Sequence, residues 1–538
     1  MNNEVGFVKS IKDFLIYLDG LPTVKINDLV ENEQGVRGLV SALLPDEVEV
    51  LLLDEGYVAP SQMFKRSAQN LTVPVGQFLL SRAINPLGVP IDGKGSLNKT
   101  QNDTNSELDN PAVGVSGREF ISKQLDTGIT IVDTLIPLGK GQRELILGDA
   151  RSGKTSFLVD IVLNQKKNDV ICVYTMIGKP IAEVRSLLDI LEVNKALDHT
   201  IVVAASSSDP APLIFLTPQA GFTIAEYFAS LGKDVLLILD DMGNHAKIYR
   251  EIALLGNRSP GRESYPGDIF YQHAHLVERA GNFKNGGSIT SLPVIELNLG
   301  DFTTFIPTNL MSMTDGHLLF RSSLYNQGQH PAIDISLSVS RVGQQTQNRL
   351  HNHLNTKVKQ ILAQASQLES VSRFSFELPL ATQLILKQKE VISDILEQPP
   401  LEAVSKELQT ILLAIPFTKF FQNKDKEFFK RNRKELMSAF AKEPQLMDLV
   451  KQVFTLTDEQ ELFDKIDSLG SLLERATPNG PEKPTAAQSQ VSPAEELVQQ
   501  ANPPTANTQQ SQTQSDSPEK PEDQRVGISE NSPKEEVK

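Results

Sequence analysis

The sequence predicts a multidomain α/β protein with four parts: an N-terminal β-barrel, a central α/β domain around a parallel sheet, a C-terminal helical bundle and a disordered tail. Four patterns carry this. Residues 1–90 hold short apolar runs such as Glu47-Val48-Glu49-Val50-Leu51-Leu52-Leu53, punctuated by Gly35, Gly56, Gly76 and Gly88, as in a small all-β barrel. Within the next span, 91–345, a polar connector (91–117) leads into apolar strand-like runs at 145–147, 170–177, 200–205 and 235–239. These alternate with helical periods, the pattern of a parallel sheet covered by helices. In the third span, 346–475, apolar residues fall on helical stripes. Leu350, Leu354, Val358, Ile361, Ala365 and Leu368 form the first, and further helices are expected at 380–397, 402–415, 426–441 and 458–474. The last span, 476–538, is rich in Pro, Gln, Ser, Asn and Glu and has no aromatic residue. Such a stretch buries too little apolar surface to offset its ordering entropy and is expected to be disordered.

Bulk properties narrow the function. A chain of 538 residues is expected to form two to four domains. A net charge of −15 argues against a nucleic-acid partner, which would call for a basic footprint. The single cysteine, Cys172, excludes an internal disulfide and fits a reducing compartment. Apolar runs stay far below membrane-spanning length, since Val235-Leu236-Leu237-Ile238-Leu239 ends in Asp240-Asp241, and the start of the chain does not read as a secretory signal. The expectation is a cytoplasmic protein that meets a membrane only through partners. His273 and His275 stand two apart with no third ligand, so no metal site is expected there.

The run Gly148-Asp149-Ala150-Arg151-Ser152-Gly153-Lys154-Thr155 is the most informative segment. It fits the phosphate-binding P-loop in full. An apolar strand, Arg143–Leu147, precedes it, and helical residues from Ser156 onward follow. Glycines let backbone N–H groups turn inward around phosphate oxygens, and the helix N-terminus adds its positive dipole end. Gly148, Asp149, Arg151, Ser152, Gly153, Lys154, Thr155 and Ser156 are therefore expected to hold a nucleoside triphosphate. Lys154 would reach the β- and γ-phosphates, and the Thr155 hydroxyl would ligate magnesium. The central domain is thus expected to be a P-loop nucleotide-binding domain.

A second half-site follows at Val235-Leu236-Leu237-Ile238-Leu239-Asp240-Asp241, an apolar strand ending in acid. This is the Walker B arrangement, and Asp240 is expected to orient magnesium through water. Hydrolysis also needs a group that activates the attacking water. Its usual place is the end of the strand after the P-loop helix, where this chain reads Ile177-Gly178-Lys179-Pro180. A lysine cannot act as the carboxylate base. The sequence therefore shows a binding site with no evident base.

Several further segments make the chain recognisable. Pro260-Gly261-Arg262-Glu263-Ser264-Tyr265-Pro266-Gly267-Asp268, Gly287-Ser288-Ile289-Thr290-Ser291-Leu292-Pro293 and Phe305-Ile306-Pro307-Thr308-Asn309 are specific. So are Thr314-Asp315-Gly316-His317, Ser338-Val339-Ser340-Arg341-Val342-Gly343 and the approach Pro137-Leu138-Gly139-Lys140-Gly141-Gln142-Arg143. From about Gly35 to Arg475 the chain resembles the α subunit of F-type rotary ATPases, the ATP synthase α chain. The resemblance implies a hexamer of three α-type and three β-type subunits around a rotating γ-type central stalk. That assembly sits peripherally on the inner face of a bacterial cell membrane. It implies an α-type site that binds Mg-ATP or ADP but turns it over negligibly. It also implies that Arg341 projects into the neighbouring β-type catalytic site as an arginine finger; without the matching hexapeptide, Arg341 would read as an ordinary surface arginine on a half-exposed strand.

The chain also departs from the pattern. Family α subunits begin with a helical segment that docks the peripheral stalk, whereas here the barrel pattern starts just after Lys9-Ser10-Ile11-Lys12-Asp13. The family's base pocket has an aromatic residue and, five residues on, an arginine; the matching positions are Tyr325 and His330. Tyrosine can still stack, while histidine is mostly neutral at pH 7. The loop Glu397-Gln398-Pro399-Pro400-Leu401 is shorter than the family's, and Gln398 is the residue expected to take over its role. Together with the tail, these departures point to a specialised paralogue, a rotary motor put to another task such as motility. The alternatives are an ordinary proton-translocating ATP synthase subunit, a self-sufficient homohexameric P-loop ATPase, against which Lys179 argues, and a ring spacer without nucleotide, against which Lys154, Thr155 and Asp240 argue.

Overall fold

The computed structural model describes residues 4–99, 104–372, 379–422, 424–425 and 427–477. From residue 478 on, the tail expected to be disordered lies outside the described residues.

Six strands form a closed antiparallel barrel: β1 Val5–Lys12, β2 Leu15–Gly20, β3 Asp28–Asn32, β4 Arg37–Leu43, β5 Val48–Leu52 and β6 Met63–Asn70. They close in the order β1-β2-β5-β4-β3-β6. Alternation explains the two sides of the wall. Val48, Val50 and Leu52 join Val8, Ile16, Val30, Val40 and Phe64 inside. Leu51, Leu15 and Tyr17 pack outward with Ile252, on a helix of the central domain. A two-stranded ribbon follows, β7 Thr72–Val75 paired with β9 Thr104–Glu107, and between them β8 Ala83–Ile84 joins the edge of the central sheet.

The remaining strands are β10 Glu144–Asp149, β11 Ile171–Lys179, β12 Thr200–Ser206, β13 Val235–Asp240, β14 Gly281–Asn282, β15 Ser288–Leu297, β16 Gly316–Phe320 and β17 Val339–Ser340. Among the described residues they form one sheet in the order β17-β16-β10-β15-β13-β11-β12-β8, with β14 beside β15. All neighbouring pairs from β16 to β8 are parallel. The strands read as unbroken apolar runs because both faces are covered. Leu236 and Ile238 enter one core, while Val235, Leu237 and Leu239 enter the other. In such a sheet the carboxyl ends of the strands lie at one rim, where ligands bind.

Helices Arg349–Ser372, Leu380–Leu396, Lys406–Ala414, Phe428–Lys442, Pro444–Gln452, Glu459–Ser468 and Gly470–Ala476 build most of the C-terminal region. It is tied to the central domain through Asp133, which is fully buried. Its carboxylate accepts hydrogen bonds from the Thr127 and Gly128 N–H groups (2.8 Å each), the Thr127 hydroxyl (2.7 Å) and the Gln409 amide (3.0 Å). Among the described residues, no helix is long and apolar enough to cross a membrane.

Candidate nucleotide-binding site

Strand β10 delivers Gly148 and Asp149 to the carboxyl rim of the sheet, and the chain turns there into helix Lys154–Gln165. Gly153 makes the turn at φ 90°, in the left-handed region where a side chain is strained. A Cβ there would also lie 3.2 Å from the Tyr325 ring. The loop is fixed from within and from its flanks. Ser152 Oγ donates to the Asp149 carbonyl at 2.8 Å, and the Asp149 carboxylate accepts from the Gly300 N–H (2.6 Å) and the Ser322 hydroxyl (3.1 Å). Lys154 Nζ donates to the loop's own carbonyls, Gly148 at 2.6 Å and Asp149 at 2.5 Å. Burial pulls this ammonium below its usual pKa, and Lys179 adds to the pull, while Glu296, Asp240 and Asp241 oppose it. Arg151, Thr155 and Ser156 are exposed on the face of the loop.

Asp240 ends β13, next but one to β10 in the sheet, and both it and Asp241 are buried. Both oxygens of Asp240 are engaged. Tyr174 Oη donates to Oδ2 at 3.2 Å, and Lys179 Nζ stands 3.0 Å from Oδ1. The same ammonium lies 3.7 Å from Asp241 Oδ2. Burial opposes the charge on Lys179, but the two carboxylates outweigh it and hold its pKa above the ordinary lysine value. Asp241 also caps helix Met242–Leu255, accepting from the Asn244 N–H at 2.6 Å. Magnesium fits this site only in part. The exposed Thr155 hydroxyl is free to serve as a ligand, whereas Asp240, the carboxylate expected to orient the cation's waters, already carries an ammonium.

Beside the P-loop, Tyr325 and His330 meet edge to face with ring centroids 5.0 Å apart. With Gly153, Ser156, Asp160 and Gln398 they line a pocket. The Gln398 side chain is held by Thr130 and by backbone. Its carbonyl accepts from the Thr130 N–H and hydroxyl, both at 2.9 Å, and its amide donates to the Gly128 carbonyl at 2.8 Å. Asp160 was not among the residues expected from sequence. It lies four residues beyond Ser156, hence on the same helix face. Its carboxylate accepts from the Leu401 N–H at 2.8 Å, and burial pushes its pKa up to about 6.

Arg341 stands apart from these groups. It follows β17, whose Ser340 lies beside Gly316, which in turn lies beside Glu144 at the start of β10. The P-loop leaves the other end of β10, five residues or about 17 Å away at ~3.3 Å per residue. Ser340 and Gly343 shape the local turn. Ser340 Oγ donates to the Pro137 carbonyl (2.9 Å) and accepts the Gly343 N–H (3.1 Å), and a Cβ on Gly343 would meet the Pro137 carbonyl at 2.2 Å. The Arg341 side chain is exposed and has no ion-pair partner among the described residues.

The structure thus gathers Gly148 to Ser156 and Asp240 at one rim, with Tyr325 and Gln398 in the adjoining pocket, and leaves Arg341 at the opposite end of the sheet. A parallel sheet with a phosphate loop on one strand and buried acid two strands away defines a P-loop nucleotide-binding protein. Residues 128–340 match the model of the ATP synthase alpha/beta family, nucleotide-binding domain. The chain is 42% identical over 418 residues to the ATP synthase subunit alpha of Mesomycoplasma hyopneumoniae, spanning 77% of this chain and 82% of that one. It is 38% identical over 469 residues to the subunit alpha of Metamycoplasma arthritidis, covering 86% and 88% of the two chains. To that of Mycoplasma pneumoniae it is 40% identical over 449 residues, covering 82% and 86%. The chain belongs to the ATP synthase alpha/beta family, with the alpha subunits of F-type ATPases.

Proposed function

We propose that this α-type subunit binds ATP or ADP without hydrolysing it and lends Arg341 to the catalytic site of a neighbouring β-type subunit. Three α-type and three β-type subunits would alternate around a γ-type stalk in a bacterial cytoplasm, and other subunits would hold the ring to the inner face of the cell membrane. The observation that carries this reading is the pairing of Lys179 with Asp240 where a hydrolytic site needs a free base. The placement of Arg341 supports the second half. It is too far along β10 to reach this chain's own P-loop, yet exposed and available to a neighbour.

In this reading the loop from Gly148 to Ser156 cradles the phosphates, Tyr325 stacks on the base, and Gln398 shapes the pocket from behind. Magnesium, when bound with the nucleotide, neutralises phosphate charge; Thr155 would hold it, and Asp240 would share its carboxylate with Lys179. A β-type site completed by Arg341 gains a guanidinium against the charge on the transferring phosphoryl group.

The test is ATP binding and ATP turnover measured on the chain purified alone. Binding without sustained turnover is expected. Sustained turnover would replace this reading with that of a self-sufficient homohexameric ATPase. Whether the ring drives proton translocation or another load, such as motility, is read from the subunits that copurify with it from gently solubilised membranes.

A further inference from the structure

The Lys179 ammonium is fixed on the acidic pair at the end of β13, 3.0 Å from Asp240 and 3.7 Å from Asp241. It is mostly buried, and both carboxylates are more so. The ammonium of Lys154 lies in the same electrostatic neighbourhood, where it feels Lys179, Asp240, Asp241 and Glu296 together. Two ammoniums therefore face three carboxylates beside the phosphate loop. Lys179 lowers the excess of negative charge in this set from two to one, so a nucleoside triphosphate arriving without a divalent cation meets a field about half as opposed to it.

We infer that Lys179 is a resident counter-ion for the terminal phosphate, occupying with its ammonium the electrostatic place of magnesium, so that this site holds ATP almost as well without a divalent cation as with one. This rests on the nucleotide reading above and deepens it. The lysine has two consequences with one cause: it removes the base that hydrolysis needs, and it supplies the charge that retention needs. The stem of Lys179 issues from the last residue of β11 and its head is held by two buried carboxylates, so the charge is positioned before the nucleotide arrives.

The experiment is a titration of the full-length chain with ATP, once in excess magnesium and once in EDTA, for the native chain, Lys179→Gln and Lys179→Arg. The quantity read is the ratio of the two dissociation constants. Loss of one close charge is expected to weaken EDTA binding by about tenfold, equivalent to ~1.4 kcal/mol. The ratio should thus be at least about fivefold larger in Lys179→Gln than in the native chain, with Lys179→Arg close to native. A smaller difference between native and Lys179→Gln overturns the inference. So does a loss of about tenfold or more in EDTA for the native chain, a result that stands even where a variant does not fold. Absence of ATP binding by the native chain in magnesium would instead overturn the nucleotide reading itself.

Discussion

Lys179 and Arg341 carry the functional reading, and each is informative because of what stands near it or does not. Lys179 read as a missing base from sequence alone. That its head lies on Asp240 and Asp241 was not legible, because the contact depends on β11 and β13 being neighbours in the sheet. For Arg341 the motif was legible and the distance from the chain's own P-loop was not. Replacing Arg341 with alanine in the assembled ring is expected to lower kcat for ATP hydrolysis by about a thousandfold or more while leaving ATP binding to the isolated chain unchanged. Steady-state kinetics and a binding titration on the same variant check both halves. Gly153→Ala is expected to act on the other property. At φ 90° and against the Tyr325 ring, an added Cβ strains the loop, costing on the order of 1 kcal/mol and weakening ATP binding with little effect on the melting of the barrel.

Among the elements, β10, β11, β12 and β13 were the most legible, while β15 and β16, on either side of β10, were not read as strands. The runs of the first four are apolar, and two-sided burial leaves no polar alternation to obscure them. The C-terminal helices were less so. Helix Pro444–Gln452 escaped notice because it spans nine residues and buries only Leu446 and Leu449. The segment expected at 458–474 divides at Leu469 into two helices. Contacts between distant elements were not legible at all. The Asp133 carboxylate satisfies four donors from residues near and far in sequence. Asp133→Asn would turn N–H groups toward N–H groups, and a loss of about 2–4 kcal/mol is expected by denaturant unfolding. Helices Met242–Leu255 and Ile269–Val277 are joined by a buried histidine pair, His245 Nδ1 and His273 Nε2 at 3.2 Å. Burial holds His245 down at about 4, below its ordinary 6.5, and pushes His273 well below as well. The folded state binds fewer protons than the unfolded one in this range, so stability is present above pH 6.5 and is lost as pH falls toward 4. His245 alone accounts for roughly 3 kcal/mol of that loss. Melting temperatures between pH 7 and pH 5 should fall, and fall less steeply in His245→Gln.

At the scale of the whole molecule, the proposed function gives the two opposite ends of one sheet two different duties. The carboxyl rim carries the P-loop, where we propose the nucleotide binds, and the amino end of the P-loop strand presents an arginine outward. Such a division is useful only in an assembly in which neighbours share sites. Order along the chain was legible because barrel, sheet and helices have different periods. The separation of Arg341 from the P-loop was not, since it depends on which strands become neighbours. The measurement that tests the proposed division of duties most directly compares ATP hydrolysis by the reconstituted ring carrying Arg341→Ala with that of a ring carrying Lys154→Ala in this subunit. The expected result is a loss of about a thousandfold or more for Arg341→Ala, while Lys154→Ala retains most of the turnover. Full activity with Arg341→Ala and abolition by Lys154→Ala would mean that this subunit hydrolyses its own nucleotide and lends nothing to its neighbour.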